Sequence, residues 1–160
     1  ENELSKRAGV ELDPATGGAV VNQRLETSVP GILACGNVLQ VHDLVDNVSE
    51  EARRAGANAA HMILGRLART QGKIHVVPGP GIRYVVPQCV DVRDMDERVM
   101  LSMRPDDVFR TATLEVMAEG QDVPLARFQR RRLTPGEMVM LNVDSAVFHT
   151  SADRVSVRVA

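Results

Sequence analysis

Tryptophan is absent from these 160 residues, tyrosine occurs once and phenylalanine three times. A surface that holds single-stranded nucleic acid by stacking its bases needs more aromatic faces than this. The formal net charge of -2 gives no electrostatic reason to expect a polyanion or an anionic membrane surface as partner. Only Cys35 and Cys89 are present, far apart and in unlike contexts, which excludes a CxxC redox pair and a cysteine zinc site. Both thiols read as small buried hydrophobes. No apolar run approaches the roughly 18 residues of a membrane-spanning helix, and the amino terminus lacks a signal-peptide layout. The expectation is a soluble cytoplasmic protein with no membrane span and no nucleic-acid partner. His42, His61, His75 and His149 show no HxxxH or HExxH spacing, so no metal is expected.

What is present is aliphatic: valine, leucine, isoleucine, methionine and alanine must build the core. The length suits one domain or two small ones. From Lys73 onward short apolar runs alternate with turns, at Tyr84 to Val86, Arg98 to Met103, Ala112 to Ala118, Leu125 to Arg130, Glu137 to Val143 and Arg154 to Val159. Val99, Leu101 and Met103 alternate with Met100, Ser102 and Arg104; Val155, Val157 and Val159 alternate with Ser156 and Arg158. Period two at this spacing predicts a small all-β unit of roughly six or seven strands, a sandwich of immunoglobulin-like outline. The composition changes from Lys73 and Val76-Val77-Pro78-Gly79-Pro80-Gly81 is a breaker cluster, which puts the boundary around Gln71 to Gly81 and divides the chain into residues 1–72 and residues 73–160. Gly79-Pro80-Gly81 is no phosphate loop, because it lacks a third glycine and precedes a strand.

In the first 72 residues, Leu4 and Ala8 stand at helical spacing with Gly9 as a stop. Glu11-Leu12, a turn-rich Asp13 to Gly18, and Ala19-Val20-Val21 read as a hairpin. Ile32-Leu33-Ala34-Cys35 is a short apolar run between Pro30-Gly31 and Gly36-Asn37, which predicts a buried strand. In an open α/β sheet ligands sit beyond the carboxyl ends of the strands, where Gly36 and Asn37 would lie. Glycine there lets the backbone turn and approach a ligand, and an Asn amide both donates and accepts. A helix from about Asn47 to Leu67 or Thr70 follows, with Asn47 and Glu50 as N-cap and capping box. Its apolar and small residues, Val48, Ala52, Ala55, Ala59, Met62, Ile63 and Leu67, recur at three or four. Gly56 in mid-helix implies close packing there.

Thr27, six residues, Ala34-Cys35-Gly36-Asn37, the stretch Val41 to Glu51 and a helix rich in small residues resemble the second FAD motif of the pyridine nucleotide-disulfide oxidoreductase superfamily. The likeness is to the subgroup with the FAD subunits of anaerobic glycerol-3-phosphate dehydrogenase and the amine-oxidising enzymes. The resemblance implies the closing strand, turn and helix of a Rossmann-like FAD domain in residues 1–72, followed by the β unit. It implies that Gly36 and Asn37 meet the ribityl chain of FAD, and that the backbone at Asp46, Asn47 and Val48 faces the flavin pyrimidine. Asn37 stands where the family has Asp, an acceptor without charge. The family's GxGxxG units for FAD and NAD(P) are not in this sequence, and Glu1 is not a methionine. The resemblance therefore implies the carboxyl-terminal part of an FAD-dependent, NAD(P)-linked oxidoreductase, inactive and a poor flavin binder by itself, whose partner is the upstream FAD/NAD(P)-binding portion.

The other class of reading is a non-catalytic assembly module whose β unit docks a partner subunit or a second copy. His42, Asp43 and Asp46 form a compact titratable group that reads first as an exposed loop at a helix start and second as a proton-transfer site. Arg127, Arg130, Arg131 and Arg132 make one basic concentration, and a charge-protected edge strand explains it better than an acidic partner.

Overall fold

The computed structural model describes residues 2–66 and 73–160. Helix α1, Glu3–Arg7, ends in a Schellman motif: Gly9 N–H donates to Lys6 O at 3.0 Å and Val10 N–H to Ser5 O at 2.9 Å. Val10 is thereby turned into a small core. The chain then meanders through three single bridges, Leu12 to Ala19, Val21 to Thr27 and Glu26 to Leu33. The hairpin expected at residues 11–21 is thus present in its shortest form. Residues 32–35 do not form the buried strand that their apolar run predicts; Leu33 makes one antiparallel bridge, and no parallel sheet flanks it among the described residues. A short apolar run becomes a strand only with a neighbour on which to close its ladder. Here the run closes on residues 25–27 alone, Ala34 N–H donating to Leu25 O at 2.9 Å and Ile32 O accepting from Thr27 N–H at 2.8 Å, with Ala34 buried and Ile32 and Cys35 packed against the same core.

A 3-10 turn at Gly36–Val38 leads to helix α2, Val45–Ile63. The expected extension to Leu67 or Thr70 lies outside the described residues. The helix starts two residues before the predicted cap: Leu44 is the N-cap and no side chain caps it, so Asn47 stands inside the first turn and Glu50 pairs with Arg53. The buried stripe also differs. It is Glu51, Ala55 and Asn58, while Ala52 and Gly56 face outward. A Cβ on Gly56 would meet nothing within 4 Å, so the close packing inferred for it is absent. Gly56→Ala should raise the unfolding free energy by about 0.5–1 kcal/mol, read from a urea midpoint.

Eight strands follow among the described residues: β1 Lys73–Pro78, β2 Ile82–Val86, β3 Cys89–Asp91, β4 Arg98–Pro105, β5 Phe109–Ala118, β6 Ala126–Leu133, β7 Val139–Asp144 and β8 Arg154–Val159. Five pair in the order β3-β1-β8-β5-β6 and three in the order β2-β4-β7. All neighbours are antiparallel except β1 and β8. Alternation explains the core: Val99, Leu101 and Met103, Leu114 and Val116, Leu141 and Val143, and Val155 and Val157 all point between the sheets and are almost fully buried. β2 is buried on both faces. Ile82 and Val85 join this core, whereas Tyr84 and Val86 join Val21, Leu25, Ala34, Leu39 and Ala55 in the amino-terminal one. One strand therefore serves both halves of the chain. The structure is mostly β with two helices, and no helix among the described residues is long and apolar enough to cross a membrane.

The arginine-rich run is strand β6, at the edge of the five-stranded sheet. Glu115 on β5 lies opposite Arg127 on one side and Arg158 of β8 on the other, at 2.9 and 2.8 Å. Hydrogen bonds from Arg158 and then Arg127 hold its carboxyl below the usual range. The stabilisation from a carboxyl lowered in the folded state is present above its unfolded value, about 4.3, and disappears as pH falls through the folded value. Urea midpoints measured between about pH 7 and about pH 3 should therefore fall less for Glu115→Gln than for the parent, the two curves converging at the acid end.

Candidate functional site

The site is built on the turn at Gly36. Gly36 has φ +70°, a conformation that L side chains rarely adopt, and its amide donates to Glu51 Oε1 at 2.6 Å. Glu51 lies in the second turn of α2, so this bond clamps the turn to the helix. The other carboxyl oxygen accepts from Gln40 Nε2 at 2.9 Å, and His42 Nε2 meets Oε1 at 2.9 Å. A carboxylate oxygen only accepts, so Nε2 is the donor in this contact. Side-chain exposure is 3% for His42 and 7% for Glu51, and Gln40 is 1% exposed as a residue. Buried polar groups must be paired, and the carboxyl satisfies three donors at once. Among the described residues, His42 Nδ1 and Gln40 Oε1 are buried with no hydrogen-bond partner.

The group of His42, Asp43 and Asp46 read from the sequence is dispersed by the fold. His42 turns inward to Glu51. Asp43 turns to the β unit, where Arg104 Nη2 donates to its Oδ1 at 2.8 Å and the Met138 amide to its Oδ2 at 2.6 Å. Burial alone would raise the Asp43 carboxyl, but the bonds from Arg104 and the Met138 amide outweigh it and hold the group below its ordinary range. Arg104 also donates to Val41 O at 3.1 Å, Pro135 O at 3.0 Å and Tyr84 Oη at 3.2 Å. One guanidinium thus ties the loop before α2 to strand β2 and to the turn before β7. Asp46 stays exposed in the first helical turn.

Of the five residues singled out, Gly36 and Val48 are brought together: a Cβ on Gly36 would lie 3.8 Å from Val48 Cγ1. Asn37 is exposed in the same turn, and Asp46 and Asn47 occupy the start of α2. The Gly36 amide is already engaged by Glu51, so Gly36 shapes the turn and Asn37 is its free hydrogen-bonding side chain. Asn47 is half-buried and borders a cavity of about 70 Å³ with His42, Arg54 and Ser102. Thr27, the first residue of the motif, is buried and closes a local turn with Val29, Oγ1 to both N and O at 3.2 Å. The start of α2 has no side-chain cap, and the N–H groups of a helix's first turn carry partial positive charge. Around it the apolar side chains Val41, Leu44 and Val45 are 62, 62 and 80% exposed.

Gln40, Glu51 and Arg104 were not legible as site residues. The one signal for Glu51 is its spacing, three after Val48 and four before Ala55, on the face that the helix buries. Cys35 and Cys89 are free, and burial raises both thiols. Neither is a thiolate nucleophile at neutral pH. No family model, no curated protein and no solved structure matches this chain.

Proposed function

We propose that residues Gly36 to Val48 form the ribityl- and pyrimidine-facing wall of a flavin site, contributed by this chain to an FAD-dependent oxidoreductase that works with NAD(P). The observation that carries the reading is the buried clamp of Glu51 on Gly36. It holds a motif-matching turn against the first turns of an uncapped helix and leaves Asn37 exposed beside them. The residues fit the group. Asn37 offers a donor and an acceptor to hydroxyls, and the helix end offers N–H groups to a carbonyl or to developing negative charge. Val41, Leu44 and Val45 supply an apolar rim of the kind that small-molecule sites carry. When bound, the flavin supplies the hydride chemistry; this chain binds and orients it. The ADP half belongs to a GxGxxG portion upstream in the parent, the partner this reading requires. The basic edge strand β6 disfavours the rival reading of a β unit that docks a subunit through its sheet edge.

Riboflavin tests the reading without a phosphate to confuse it. Its fluorescence should be quenched weakly and saturably by the chain. Asn37→Ala should weaken the binding about three- to tenfold, the loss of an ordinary hydrogen bond, and Asn37→Asp should strengthen it by restoring a charged acceptor. Equal quenching by all three proteins would sink the assignment of Asn37.

A further inference from the structure

A cavity of about 610 Å³ opens on the far side of Arg54, away from the turn at Gly36, between α2, the loop that follows β3 and the outer face of β4 and β7. Four arginines line it, Arg24, Arg54, Arg66 and Arg98, against two aspartates, Asp94 and Asp96. Both aspartates are consumed by one partner: Arg24 holds Asp96 at 2.7 Å and forks onto Asp94 at 3.3 Å. That leaves Arg54, Arg66 and Arg98 facing the space with no acidic side chain in contact among the described residues, and His61 and Asn142 beside them as further donors. Arg54 is half-buried, and among the described residues its one hydrogen bond is a long contact to Gln23 O at 3.4 Å. Glu51, Glu50 and Asp96 act on it from a distance, but Glu51 is spent on Gly36, Gln40 and His42, Glu50 is paired with Arg53 and Asp96 with Arg24, whose own charge opposes that of Arg54. Desolvation wins, and the guanidinium is held below its ordinary range. A partly buried guanidinium normally has a carboxylate or phosphate against it, because burying an unpaired charge is expensive.

We infer that this cavity is a binding site for the phosphate group of a small anionic ligand, received by Arg54 and Arg98 with Arg66 and His61 at the rim. Guanidinium forks match phosphate oxygens in geometry and charge, and the space accommodates an organic group beyond the phosphate. The site is separate from the flavin wall and stands whether or not that reading does.

Calorimetric titration of the chain with pyrophosphate, and with citrate as a carboxylate of comparable charge, at fixed ionic strength tests it. Pyrophosphate should bind saturably at one site, and Arg98→Gln should weaken it about tenfold, with Arg54→Gln at least as damaging. Arg131→Gln on the basic edge strand should leave the affinity unchanged. Arg98 is exposed on β4, so its replacement does not burden folding and keeps the test decisive if the Arg54 variant is unstable. Absence of saturable binding, or binding indifferent to Arg98→Gln, would overturn the site. Citrate binding as tightly as pyrophosphate would overturn the phosphate assignment.

Discussion

Glu51→Ala is expected to lower the unfolding free energy by about 3–5 kcal/mol, the range for removing one partner from a buried polar cluster. The carboxyl takes donors from Gly36 and Gln40 and meets His42 Nε2, all inside the protein. Alanine leaves those N–H groups buried without acceptors, and it opens space beside the cavity that His42 and Glu51 already border. Glu51→Gln keeps one acceptor oxygen but sets an amide nitrogen against donors, so about 1–3 kcal/mol is expected. Denaturant midpoints give the magnitudes. Hydrogen exchange at the Gly36 amide gives the mechanism, because protection there should fall in both variants before that of Leu101 or Leu114 does.

Gly18→Ala should be the other large loss, about 3 kcal/mol or more. A Cβ at residue 18 would sit 2.7 Å from Leu39 Cα and closer still to the Leu39 carbonyl. Both obstacles are backbone, so neither can swing aside as a side-chain tip could. The hairpin that presents Ala19 and Val21 to the amino-terminal core would be pushed off the residue that ends the 3-10 turn, and Leu39, with no exposure in the parent, would be uncovered. Gly18→Ala should therefore lower the stability and broaden the amide signals of residues 19–21 and 36–40 together. An unchanged midpoint would show that the hairpin and the turn are not packed as described.

The β half was largely readable because its core depends on a local signal. Strict alternation in Arg98 to Met103 and in Arg154 to Val159 places those strands, and burial follows the alternation except at Ser102, which is buried as well. β1 overlaps the breaker cluster at Val76 to Gly81, although Ile74 and Val76 alternate with Lys73 and His75. Pro78 carried too much weight: it ends the strand, where a missing N–H costs little. β3 spans three residues, too few for any period to show. In the first half the local signals compete with tertiary ones. Small residues on α2 looked like a packing face, yet the helix buries Glu51 and Asn58, the latter donating to Arg24 O at 2.9 Å. Their partners lie 15 and 34 residues away in the chain, at distances no helical pattern records. Arg104 was likewise read only as the polar position of a strand; its four partners come from β2, the turn before β7 and the loop before α2.

The most direct test of a flavin wall on this chain is a map of where riboflavin touches it, taken from amide chemical shifts of the uniformly labelled protein during titration. Saturable shifts should concentrate at Asn37 and at Val45 to Val48, with the core of the β unit silent. Absence of shifts at those amides, or shifts concentrated in the arginine-lined cavity instead, would contradict the flavin wall.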